Sequence, residues 1–190
     1  MSIVVRIVDD PEFWEQASWI ASVIGCFIAV CAAGFAATQL IDVRRASQAT
    51  LLLELDARFD SSEMKDAREL FAKLRDDITV TVSAKNSSAK DSVKEQLVCE
   101  EWKKVLSEMR SQDQDNYLML IGYIGFFETV GLMVNRKYIA NADVMSLFKG
   151  PLIDIGRSFR LHIEDRLKEM GVSEGMFEHA LSLSKSASSN

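Results

Sequence analysis

WIASVIGCFIAVCAAGFAATQLI, residues Trp19–Ile41, is the stretch on which the reading of this chain turns. It lies within 26 consecutive residues without a charge, bounded by Glu15 and Asp42. A helix rises about 1.5 Å per residue and needs roughly 20 apolar residues to cross about 30 Å of hydrocarbon. The length fits a transmembrane helix with modest tilt. Trp14 and Trp19 stand at one end, where indoles favour the headgroup layer. A cleavable signal peptide would have a basic start and a shorter apolar core, whereas this leader carries four carboxylates against Arg6 alone. A buried soluble helix of this length would normally show a polar face.

The flanks set the expected orientation. Arg44 and Arg45 follow the apolar run directly and Arg58 comes later, so the C-terminal side should be cytoplasmic. The expected organisation is a short extracytoplasmic leader (1–16), a transmembrane helix (17–41), a cytoplasmic helical domain (42–183) and a disordered Ser-rich tail (184–190). Gly25, Ala29, Ala33 and Ala37 recur every four residues and form one small-residue strip. Such strips let two helices approach closely within lipid, so a homo-oligomer joined through this face is expected.

Beyond the apolar run, helical spacing continues through Leu51, Leu52, Leu55 and Phe59. Asp60, with Glu63 three residues on, reads as a cap opening a second helix that ends near Asp77. Residues 78–92, ITVTVSAKNSSAKDS, break the helical period and read as a loop. A third amphipathic helix follows through Leu97, Val98, Trp102, Val105, Leu106 and Met109. Asn141 caps a short helix ending at Gly150, Pro151 opens the last long helix, and Gly171 closes it. A final short helix is placed at about 174–183.

Between them lies YLMLIGYIGFFETVGLMV, Tyr117–Val134, 18 residues with Glu128 as the single charge. By length it stands at the lower limit for a span. A carboxylate near the middle of a span is costly, and Gly122, Gly125 and Gly131 suggest close packing against other helices. Arg136 and Lys137 would also have to leave the cytoplasmic side. The expectation is a fully buried core helix. Within it, Glu128 reads as half of a structural ion pair with Arg157 or Arg160, because buried charges are nearly always paired. The functional alternative is a proton-active carboxylate.

Candidate chemistry is sparse. The net charge of −6 argues against general nucleic-acid binding, which needs basic surface. Cys26, Cys31 and Cys99 give neither a disulfide framework nor metal spacing, and no metal or other cofactor is expected. Phosphate loops and nucleophile elbows are absent from the sequence. Arg157 and His162 could serve phosphodiester cleavage, the cation stabilising phosphorane charge and the imidazole moving a proton. Five helical steps set them about 140° apart, so a composite site would need a dimer.

Two resemblances follow from these residues. FFETVGLMVNRKYIANADVMSLFKGPLIDIGRSFR, Phe126–Arg160, resembles a bacterial family of short, uncharacterised single-span membrane proteins with a C-terminal helical domain. The likeness runs over roughly residues 51–166 and rests on Phe127, Glu128, Val130, Gly131 and Leu132. More distantly, the layout is similar to the HEPN-like membrane accessory protein of RNA-targeting CRISPR systems, which forms an oligomeric pore. That similarity implies a ribonuclease site at Arg157 and His162 or a pore-forming effector. The reading taken forward is an all-α, non-enzymatic protein of the bacterial inner (plasma) membrane, its partners being the lipid bilayer, further copies of itself and a cytoplasmic protein.

Overall fold

A computed structural model of the chain describes residues 11–85, 90–170 and 177–189. Among these residues there are six helices and no strand. They are α1 (Pro11–Phe59), α2 (Ser62–Lys85), α3 (Asp91–Gln112), α4 (Gln114–Asn135), α5 (Asn141–Met170) and α6 (Glu178–Ser189). The chain divides into two units, Met1–Thr50 and Leu51–Asn190.

The described part of the first unit is α1 up to Thr50. Among its described side chains the large apolar ones, including Trp19, Phe27, Val30, Phe35 and Leu40, are exposed. The apolar segment of α1 is long and uncharged enough to cross a membrane, and its most apolar window is 0% buried. Gly25 and the alanines at 29, 33 and 37 share this exposure.

The second unit is a helical bundle around one aromatic core. Apolar burial supplies most of the favourable free energy of such a fold, and here it begins with Leu55 and Phe59 at the end of α1. The Phe59 ring lies 5.6 Å from Phe126, 5.9 Å from Phe127 and 5.1 Å from Phe148, centroid to centroid. Below it Phe71 stacks on Trp102 at 5.1 Å and on Phe159 at 5.9 Å. Both groups use the tilted and offset geometries that aromatic quadrupoles favour.

The helix ends depart from the expected ones in four places, and in three of them the apolar stripe explains why. α2 runs to Lys85, so 78–85 is helix rather than loop. Ile78 and Val82 extend the buried row begun by Ala67 and Phe71, and that burial outweighs the β-preference of the ITVTV run. The cap of α2 is Ser61, whose hydroxyl accepts from the Met64 amide, rather than Asp60. α5 is continuous through Pro151 instead of restarting there. Proline removes one helical hydrogen bond, yet Val144, Phe148, Leu152, Ile155, Phe159 and Ile163 bury one unbroken face across it. Last, the Ser-rich end expected to be disordered is helical as far as Ser189, with Leu183, Ser184 and Ala187 buried. The expected close at Gly171 and the start of the final helix near residue 174 lie outside the described residues, as do leader residues 1–10 and residues 86–89.

α4 buries one face in the core, through Leu120, Tyr123, Ile124, Phe126, Phe127, Val130 and Gly131, and is not fully buried as expected, since Leu118 and Met119 are exposed. It ends with Lys137 at φ 59°, the Tyr138 amide donating to Met133 and the Lys137 amide to Val134. This is a Schellman close built on lysine where glycine is usual.

Candidate functional site

Glu128 meets an amide, not an arginine. Its Oε2 accepts a hydrogen bond from the backbone N–H of Ala180 at 2.8 Å. Ala180 is the third residue of α6, within the turn whose amides have no partner inside the helix. The carboxylate therefore caps α6 from a neighbouring helix, at the positive end of its dipole. The expected pair with Arg157 or Arg160 does not form.

Three residues further along α4, Gly131 lets α6 come close: a Cβ there would lie 2.7 Å from the backbone of His179. Gly156 does the same on α5, where a Cβ would meet the Ser184 hydroxyl at 1.7 Å. Gly122 and Gly125, expected at close helix contacts, have nothing within 4 Å of that position. Glu128, Gly131 and Gly156 together seat α6 on α4 and α5.

Arg157 and His162 share α5 but not a site. The Arg157 guanidinium is exposed and its Nε lies 3.0 Å from Glu95 Oε1. His162 is buried, with Nε2 3.2 Å from the Tyr117 hydroxyl and the two rings edge to face at 5.8 Å. Burial lowers the imidazole pKa, and the nearby Arg166 and Arg110 add to that. The ring thus sits in the core with the Tyr117 hydroxyl as its hydrogen-bond partner. Nothing within one copy turns Arg157 toward it.

Around Arg157 the chain forms a cleft of about 410 Å³ between α3, α5 and α6. Glu95 and Cys99 enter from α3, Arg157 and Arg160 from α5, and Ser184 and Lys185 from α6. The Cys99 thiol donates to the Arg157 carbonyl at 3.0 Å. Burial pushes this thiol up, and the nearby positive charge of Arg160 opposes that only in part. It is accordingly a poor nucleophile. On the other side of the Arg157–Glu95 pair a second cleft of about 330 Å³ holds Arg75, whose Nη1 contacts Asp154 Oδ2 at 2.8 Å. Cys99, Arg160 and Lys185 were not legible as neighbours, because no spacing links three helices so far apart in sequence.

Among the described residues no group of three or more His, Cys, Asp or Glu is placed to hold a metal ion. Comparison with protein-family models, with curated proteins and with solved structures finds no match.

Proposed function

We propose that this chain is a single-span protein of the bacterial inner membrane that presents a cytoplasmic helical domain for protein interaction. One observation carries the reading: the charge-free stretch of α1 leaves every large apolar side chain open, with none of its most apolar window buried. In water so long an apolar surface would be strongly unfavourable, at about 25 cal/mol per Å². In hydrocarbon it is matched, and α1 satisfies its own backbone hydrogen bonds, as a span must. Arg44 and Arg45 directly after the stretch favour a cytoplasmic side for the domain.

An interaction role fits the second unit better than catalysis. The two side chains with the most catalytic chemistry are spoken for, His162 by Tyr117 in the core and Arg157 by Glu95. Self-association is assigned to the Gly25, Ala29, Ala33 and Ala37 face, where small side chains allow close backbone contact. Energy transfer between labelled copies in liposomes tests it. Ala33→Leu should reduce transfer severalfold while Val30→Leu, off the strip, should not. Equal transfer in both would remove the strip from the account.

A further inference from the structure

We propose that the cleft between α3, α5 and α6 is a binding site for a phosphate group. The charge of its walls runs against that of the whole chain. The protein carries −6, yet this cleft gathers Arg157, Arg160 and Lys185 against the single carboxylate of Glu95. Arg157 is neutralised by Glu95 at 3.0 Å. Arg160 and Lys185 have no carboxylate within ion-pair distance among the described residues. Both line the same cavity, where like charges repel each other and an anion between them relieves that. A guanidinium fork and an ammonium lining one cavity suit the charge and the several acceptor oxygens of a phosphate better than those of a carboxylate.

The volume of about 410 Å³ is that of a small-molecule site, and Ile153 and Leu181 supply an apolar wall for an organic portion. Gly156 shapes the floor, since any side chain there would collide with Ser184. Ser188 and Ser189 belong to the last turn of α6, whose free carbonyls disfavour an anion. Affinity must therefore come from Arg160 and Lys185, and the site stands or falls with them. The phosphate could belong to a soluble monoester or to a phospholipid headgroup, and the chemistry recognised is the same.

The test is calorimetric titration of the full chain in neutral detergent micelles. One arm adds inorganic phosphate; the other dopes the micelles with phosphatidic acid, using phosphatidylcholine as control. Saturable binding is expected in at least one arm, the first identifying a soluble ligand and the second a lipid headgroup. The double variant Arg160→Gln/Lys185→Gln should weaken it about tenfold or more, as loss of charge-assisted hydrogen bonds implies. Its far-UV circular dichroism should be unchanged, because both side chains are exposed. Glu95→Gln, which frees Arg157, should tighten binding. The proposal is overturned by absence of saturable binding in both arms, by equal affinity in the double variant, or by weaker or unchanged binding in Glu95→Gln.

Discussion

α1 and α4 both pass as spans by length and composition, yet they use their apolar residues in opposite ways. The best window of α1 is 0% buried within the chain, whereas that of α4 is 39% buried, with Leu120, Ile124, Phe127 and Val130 fully enclosed. α4 also spends its one carboxylate on a neighbouring helix. Hydropathy alone cannot separate the two cases; what the side chains touch does. The face of α4 that has met its apolar partners inside the fold gains nothing from lipid.

The contrast can be broken most forcefully in the core. Phe127→Ala removes a fully buried ring that contacts Phe59, Tyr123, Phe126 and Phe148. It should destabilise the bundle by about 3–5 kcal/mol in chemical denaturation of the detergent-solubilised chain. Phe27→Ala, the same change on the exposed part of α1, should leave that transition where it was.

Glycines within α4 sharpen the comparison further. Gly131→Ala forces a Cβ to 2.7 Å from the His179 backbone and should cost about 1–3 kcal/mol of stability by overpacking. Gly122→Ala meets open space, so helix propensity alone applies and the variant should gain up to about 1 kcal/mol. The same measurement reads both signs. If Gly122→Ala also destabilises, the packing assigned to that face of α4 is wrong.

Removing the carboxylate by Glu128→Ala should cost about 1 kcal/mol, the usual worth of a lost N-terminal cap. Amide hydrogen exchange should quicken first in α6, starting at Ala180. Uniform quickening through all helices would point to a general packing role instead.

The smallest effect is expected from pH. Burial lowers the His162 pKa below its ordinary 6.5, so the unfolded chain binds this proton more readily than the folded one. Stability from this group is then complete above about 6.5 and falls as the pH drops toward the folded value. His162→Gln should flatten that part of the stability profile. A slope that persists unchanged in the variant would place the titration elsewhere.

Much of this architecture was legible in the sequence because it rests on periodic apolar residues. Trp19–Ile41 stood out by length and lack of charge, the Tyr117–Val134 run by its apolar composition, and the row of α3 by its spacing. Local signals misled where tertiary burial overrode them. The β-branched run at Ile78 and the proline at Pro151 both suggested breaks, yet each lies in a helix whose buried stripe continues. Glu128 was visible as a charge in an apolar helix, but its partner was not, being a backbone amide 52 residues away that carries no side-chain signature. The cleft was invisible for the same reason, since Glu95, Arg160 and Lys185 become neighbours only when α3, α5 and α6 pack.

The proposed single span is tested most directly by labelling intact cells with a membrane-impermeant thiol reagent. In a background lacking Cys26, Cys31 and Cys99, single cysteines would replace Ser2, Ser47 or Ser146, before α1's apolar stretch, after it, and beyond α4. The account predicts that only Ser2→Cys reacts in intact cells, while Ser47→Cys and Ser146→Cys react after permeabilisation. Reaction of Ser146→Cys in intact cells, with Ser47→Cys still protected, would mean that α4 crosses the membrane as well and would contradict it.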